Sequence, residues 1–329
     1  MNLHQLRFVQ EAVRRNLNLT ETARALHTSQ PGVSKAIREL EQELGVELFV
    51  RHGKRLTHVT EPGRQMLASV ETILREVANL KRIGQEYAGR DVGTLSIATT
   101  HTQARYFLPG LVAELRRRFP QVQVVLHQGV PEQVAQMLLT EVAEIGIATE
   151  ALAAHDGLVT LPCYEWQHAL VVPRAHPLAK VVKPTLEQLA RETLVLYHPT
   201  VTGRSRIDQA FAREHLKPKV ALEAIDSDVI KTYVRLGLGV GIVTELAMRE
   251  EDAQPATADL ASVPLGHLFG PNVTRVAFKR GAYLRHFVLA FAELLAPRLN
   301  AALLARALKA AGASGSGPDG AGTDAHYEL

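Results

Sequence analysis

Residues 18–45 leave little structural freedom, because they encode two short helices joined by a tight turn. Asn18-Leu19-Thr20-Glu21 sets an N-cap three residues ahead of a glutamate, which is a capping box. Leu19, Ala23 and Leu26 are the buried positions of the first helix, and the small Ala23 lets a neighbour approach closely. His27-Thr28-Ser29 turns the chain, and Ser29 or Thr28 caps a second helix. Pro31 falls in its first turn, where a missing N–H costs nothing. Val33, Ile37, Leu40 and Leu44 face inward, and Gly45 ends the helix. A helix with apolar positions Leu3, Leu6, Val9, Ala12 and Val13 precedes the pair. Leu48-Phe49-Val50 and Leu56–Thr60 flank the turn Arg51-His52-Gly53-Lys54-Arg55, which predicts a basic hairpin wing.

This layout suits a nucleic-acid duplex. The second helix opens on Gln30 and Pro31 and is expected to present Ser34, Lys35 and Arg38 on its exposed side. Gln30 and Ser34 suit base edges in a major groove, and Lys35 and Arg38 suit guanine edges or phosphates. Arg51, Lys54 and Arg55 of the wing suit the minor groove or the backbone. Residues 1–90 carry 14 Lys+Arg against 10 Asp+Glu, a net of +4, while the remainder is −1 within a total of +3. Charged residues on a helix are ordinarily a solvated face. The capped turn, the polar helix start and the basic wing together favour double-stranded DNA.

From Thr60, with Pro62 in its first turn, a helix is predicted to run to about Ile83. Met66, Val70, Ile73, Val77 and Leu80 step by four and three along it, a heptad seam that calls for self-association. Gly84, Gly89 and Gly93 then read as a hinge-like break. Beyond Gly93 the pattern changes. Leu95–Thr99, Val122–Leu126, Ile145–Ala148, Ala169–Val172, Leu194–Tyr197, Val220–Ala224 and Val240–Val243 read as strands. Ala104–Phe119, Glu132–Val142, Ser205–His215 and Asp226–Gly237 read as helices between them. This alternation predicts an open α/β fold with largely parallel sheets, in two lobes, the chain crossing back near Pro264. The expected boundaries are a DNA-binding domain over 1–60, a linker helix and hinge over 61–90, an effector domain over 91–300 and an extension over 301–329, unstructured from about 310. Lobe I is expected over 91–163 and 266–300, lobe II over 164–265.

Three hydroxyl-rich segments stand at ends of predicted strands: Thr99–Tyr106, Thr149-Glu150 and Thr200–Ser205. Open α/β sheets bind ligands at the carboxyl ends of their strands, and helix N-termini there offer free N–H groups to an anion. Any one of these segments alone reads as a helix cap. Three together favour a site for a small anion.

The DNA-reading segment, with Leu44–Arg51 and Leu56–Gly63, resembles the LysR-type winged helix-turn-helix regulators, and Glu61-Pro62 is a small departure at a helix start. Thr99–Tyr106, Ala148–Leu152, Leu161–Tyr164 with Trp166, Thr202–Ser205 and Asp228–Gly241 resemble the CysB-like branch of that family, which controls sulfur assimilation and cysteine genes. The resemblance implies a multidomain α and α/β chain with a periplasmic-binding-protein-like effector domain. It also implies a homodimer or homotetramer, promoter DNA and RNA polymerase as partners, and an effector such as N-acetylserine, O-acetylserine, sulfate or thiosulfate. By the same resemblance Thr100, Thr102, Gln103, Thr149 and Thr202 line the pocket, with Trp166 nearby. His198–Val201 departs from the branch beside that pocket. Control of another regulon, such as sulfonate use, is the alternative.

Other chemistry is set aside. Cys163 is the single cysteine, so no disulfide or thiolate cluster forms, and its apolar setting reads as packing. The 14 histidines show no short ligand spacing, so no metal is expected. Leu236–Gly241 is glycine-rich but follows a helix and lacks a Gly-Lys-Ser/Thr ending, so it reads as tight packing. Asp226 and Asp228 both read as caps of the following helix. No apolar run reaches membrane-spanning length and no leader pattern opens the chain, so a cytoplasmic location is expected. A solute-binding protein lacks a use for the basic head. An enzyme on the same fold lacks a nucleophile–base pair or a cofactor fingerprint, so neither catalysis nor a cofactor is expected.

Overall fold

A computed structural model describes residues 1–53, 55–89, 92–201, 203–249 and 259–313. The chain divides into two compact units, Met1–Ala88 and Gly89–Leu329. The expected sites Lys54 and Thr202 lie outside the described residues, as does most of the expected C-terminal tail.

The first unit holds α1 (Leu3–Arg14), α2 (Leu19–Ala25), α3 (Gln30–Leu44), an antiparallel pair β1 (Phe49–His52) and β2 (Arg55–Val59), and α4 (Glu61–Ala88). The caps follow the sequence. Asn18 Oδ1 accepts from Thr20 N and Glu21 N, Ser29 Oγ accepts from Gly32 N, and Gly45 stops α3 at φ +72°. Leu6, Val9, Leu19, Val33, Ile37, Leu40, Phe49 and Leu56 close one core, to which α4 contributes the buried Val70 with Met66, Leu67 and Leu74 at its edge. The break expected over Gly84–Gly93 begins late, and the units divide at Ala88/Gly89. α4 runs through Gly84 to Ala88, since one helical glycine costs only about 1 kcal/mol. The seam divides: Val70 is buried in the head, while Ile73 is 40% and Leu80 69% exposed.

The second unit has two five-stranded sheets. Lobe I is ordered β4-β3-β5-β12-β6, from β3 (Gly93–Thr99), β4 (Val122–Gln128), β5 (Ile145–Thr149), β6 (Leu158–Trp166) and β12 (Asn272–Lys279). Lobe II is ordered β11-β7-β10-β8-β9, from β7 (His168–Pro173), β8 (Thr193–Tyr197), β9 (Lys219–Ala224), β10 (Val240–Thr244) and β11 (Leu260–Pro264). Both sheets are mixed, which corrects the expectation of largely parallel ones. β12 runs antiparallel to β5 and β6, and β7 antiparallel to β10 and β11. The first crossing between lobes is at Gln167 rather than 163/164, because β6 stays paired with β12 out to Trp166.

The helices α5 (Leu108–Arg118), α6 (Pro131–Leu139), α7 (Leu186–Ala190), α8 (Arg204–Arg213), α9 (Ser227–Arg235), α10 (Gly266–Phe269), α11 (His286–Leu295) and α12 (Ala301–Ala313) complete the unit. The expected helix Ala104–Phe119 is interrupted: Gln103–Phe107 is wound as a π-helix and α5 starts only at Leu108. Pro109 has no N–H to give the carbonyl of Arg105, so the regular ladder fails there. Each sheet is packed on both faces. In lobe I, Leu115, Phe287 and Phe291 pack on one side, and Val134 and Leu138 on the other. In lobe II, Ile207 and Phe211 oppose Ile230 and Val234. Among the described residues no helix is long and apolar enough to cross a membrane.

Candidate functional site

In each sheet the chain reverses its strand order around a central strand, β3 flanked by β4 and β5, and β8 flanked by β9 and β10. Such switch points open crevices at the carboxyl ends of strands. One cavity of about 220 Å³ is lined from both. Lobe I contributes Thr100, His101, Thr102 and Gln103 after β3, Gln128–Pro131 and Gln133 after β4, and Thr149 at the end of β5. Lobe II contributes Tyr197, Val201, Ile225 and Thr244, and Trp166 lies at the crossing. Five expected residues, Thr100, Thr102, Gln103, Thr149 and Trp166, therefore share one cavity. Gln128, Gln133, Tyr197 and Thr244 were not anticipated, although Gln128, Tyr197 and Thr244 are last residues of strands, where the same rule points.

The described lining contains no Lys, Arg, Asp or Glu, so a charged ligand here meets neutral donors. Gln103 is buried, and its carboxamide is oriented by Tyr164, whose hydroxyl donates to Oε1, and by Thr274, whose Oγ1 accepts from Nε2 at 3.5 Å. An amide nitrogen carries two hydrogens, so one remains. Burial pushes the Tyr164 phenol well above its usual range, which keeps it the donor of that pair. Trp166 Nε1 is buried and has no hydrogen-bond partner among the described residues, a donor waiting for an acceptor. Gly203 turns into α8 at φ +84°, and a Cβ there would stand 2.6 Å from His168 Nε2 and 3.0 Å from Trp166 Cη2. Glycine is required at that point both for its backbone angle and for space. Cys163 is buried, its thiol is pushed up to about 12 by burial and its Sγ bonds the Leu295 carbonyl, which is packing chemistry.

In the first unit Lys35, Arg38 and Arg55 are exposed, Pro31 is exposed and Gln30 half-exposed. Lys35 makes a 3.7 Å solvent-exposed pair with Glu39, weak enough to leave it available to a phosphate. Two expectations need correcting. Ser34 is buried, and its Oγ accepts from Arg38 Nη2 at 3.3 Å, so it is not on the open face. Arg51 is a strand residue whose Nη2 binds Glu41 Oε2 at 2.9 Å. Glu41 is itself buried and its Oε1 accepts from Leu48 N and Phe49 N. The carboxylate anchors the wing, a role sequence reasoning missed because it joins residues seven to ten apart across an irregular turn.

A capped helix pair with a basic wing, and a separate α/β unit with a cavity between two lobes, are the parts of a ligand-responsive DNA-binding protein. Residues 3–64 match the family described as bacterial regulatory helix-turn-helix protein, lysR family, and residues 88–300 match the LysR substrate binding domain. The chain belongs to the LysR family of transcriptional regulators, in its CysB-like branch. It is 57% identical to the transcriptional regulator CysB of Burkholderia cenocepacia over 92% of this chain and 96% of that protein. It is 49% identical to the regulator SsuR of the same organism, over 93% and 98%. The crystal structure of the cofactor-binding domain of the Cbl transcriptional regulator superposes with a TM-score of 0.62 at 43% identity, covering 66% of this chain and 93% of that one. These relatives are regulators, not enzymes.

Proposed function

We propose that this regulator controls genes of sulfur assimilation and cysteine biosynthesis, and that a small anion binds in the 220 Å³ cavity. The observation that carries the effector reading is the cavity wall: threonine hydroxyls, an oriented glutamine amide and an unpartnered indole N–H, with no fixed charge. Its size suits a metabolite below drug scale, such as N-acetylserine, O-acetylserine, sulfate or thiosulfate. The sulfur assignment rests on the likeness to the CysB-like branch, as do the homotetramer, the contact with RNA polymerase and a cytoplasmic location. Gln30, Pro31, Lys35, Arg38 and Arg55 supply the DNA contacts. Ligand binding between the lobes shifts their population and so the disposition of paired heads on a promoter.

The test is a titration of a sulfur-gene promoter fragment at fixed salt, with and without each of the four compounds. A change in affinity or footprint with one of them supports the reading. Specific DNA binding that ignores all four removes the sulfur role and leaves another regulon. Lys35→Ala or Arg38→Ala is expected to weaken DNA binding roughly tenfold and to lower the salt slope by about 1. Neither should move a sulfate titration followed by the emission of Trp166, the single tryptophan. Thr149→Ala should shift effector affinity by roughly tenfold while promoter binding persists. Loss of both functions together in either set would contradict separate reading and sensing units.

A further inference from the structure

Two polar paths lead out of the cavity and meet on one helix turn of the opposite lobe. The first starts at Thr102 of lobe I, which lines the cavity together with Tyr197 of lobe II. Tyr197 OH in turn lies 2.5 Å from Ser227 Oγ and accepts from Thr244 N at 3.2 Å, all buried. The second path starts at Gln103, which opens the π-helical segment. Two and three residues on, Arg105 Nε reaches Asp228 Oδ2 at 3.4 Å and Tyr106 OH donates to Asp228 Oδ1 at 2.6 Å. Ser227 and Asp228 are the first two residues of α9.

Asp228 is not occupied in capping, contrary to expectation, because Asp226 accepts from Val229 N and caps α9 alone. Its carboxylate is held instead by both lobes. Lys231 of α9, itself buried, reaches Asp228 Oδ1 at 3.2 Å and the Ala247 carbonyl at 2.9 Å. The Tyr106 ring packs on the lobe II core around Ile230 and Val234 and lies 5.3 Å from Lys231 Nζ. Burial works against the charged form of Asp228, but the hydrogen bonds from Tyr106 and Lys231 and the nearby cations outweigh it and hold the carboxyl below its usual range. π-helical turns recur where helices serve a site, and this one carries a cavity residue at one end and the cross-lobe contacts two residues later.

We propose that Tyr106, Asp228, Tyr197 and Ser227 are positioning residues that couple the occupied cavity to the first turn of α9. A ligand that orders Thr102 and Gln103 tightens both paths, and the paths in turn hold the lobes at the spacing the ligand needs. This rests on the reading that the cavity takes a small anion. The Tyr106–Asp228 contact joins the lobes without lining the cavity, so it can be cut without removing a cavity-wall group. Cutting it lowers the fraction of molecules ready to bind, and apparent affinity falls in proportion.

The experiment uses the full chain, as Tyr106→Phe, Asp228→Asn and the double variant, with sodium sulfate as the probe. Hydrogen exchange without ligand is expected to quicken at residues 103–107 and at the start of α9 in all three. Sulfate affinity, read from Trp166 emission, is expected to weaken roughly three- to tenfold in each single variant, and the double variant to be no worse than the weaker single. In the wild type sulfate should slow exchange at both the cavity segment and the first turn of α9. In the variants, with one of the two paths cut, the slowing at α9 should shrink while that at the cavity segment persists, a pattern that plain loss of stability does not produce. Unchanged exchange in ligand-free Tyr106→Phe, or undiminished protection of α9 by sulfate in both single variants, overturns the proposal. If the wild type binds no sulfate, acetylserine or thiosulfate, the effector reading falls first, and ligand-free exchange alone decides whether the contact holds the lobes.

Discussion

Glu41→Ala should destabilise the DNA-binding unit by about 3–5 kcal/mol, a large share of the 5–15 kcal/mol that holds a domain together. The glutamate is 7% exposed and touches three groups at once: Leu48 N at 3.0 Å, Phe49 N at 3.2 Å and Arg51 Nη2 at 2.9 Å. Removing it strands two buried N–H donors, each costing about 1–3 kcal/mol, and leaves a half-buried guanidinium without its counter-charge. These groups fix the point where α3 hands over to β1, so the wing should lose its attachment. Hydrogen exchange at Leu48 and Phe49 and a promoter-fragment titration measure the effect. Sulfate binding at Trp166 should be untouched, since the cavity lies wholly in the other unit. Full promoter affinity in the variant, with exchange at Leu48 unchanged, would falsify the anchoring role. Arg51→Ala separates the two readings of that arginine. As a fold element it should lower stability and leave the salt slope of DNA binding intact, whereas a phosphate contact would reduce that slope by about 1.

Much of this was legible beforehand, for reasons that can be named. Caps and turns are local chemistry, so Asn18, Ser29 and Gly45 could be read from their neighbours alone. Most of the expected strands are short apolar runs bounded by turn residues, and all seven expected in this unit are present. β6, β11 and β12 were missed because their signals are mixed. β6 carries Pro162 in mid-strand, and the register of its pairing with β12 shifts there, between Thr274 and Arg275. Half of the cavity followed from hydroxyl-rich strand ends. Tyr197 and Thr244 were passed over because each is the last residue of its own strand, not part of the hydroxyl-rich segment after it, and Gln128 and Gln133 because a lone glutamine gives no such run. Ser34, Arg51 and Asp228 share one cause of error. Sequence spacing places a side chain on a face, but it does not say which polar neighbour from another element will claim it.

Stability should fall in acid through His168, and the cleft should feel it first. His168 is fully buried, with Nδ1 3.4 Å from Asn272 Nδ2 and Nε2 without a partner among the described residues. Its ring meets Trp166 edge-on at 5.1 Å and Phe269 at 5.5 Å. Burial, and secondarily the charge of Arg206, bring its pKa down from 6.5 to about 4. In the unfolded chain the imidazole takes up a proton near its ordinary pKa of about 6.5, while in the folded chain it stays neutral until about 4. The contribution is therefore complete above about pH 6.5 and is lost as pH falls towards 4, below which no more is lost. One proton over that window is worth roughly 3 kcal/mol. Urea unfolding followed by Trp166 emission at several pH values between 7.5 and 4.5 measures it, because that indole touches the histidine. His168→Asn supplies the control: the cavity it leaves lowers stability about equally at every pH, so only the slope isolates the proton. The expected result is a pH dependence steeper in the wild type than in His168→Asn by about 1.4 kcal/mol per pH unit between 6.5 and 4. Equal slopes in the two proteins would mean that the imidazole takes up its proton in the fold as readily as in the unfolded chain, and that its buried site beside Trp166 tolerates a charge.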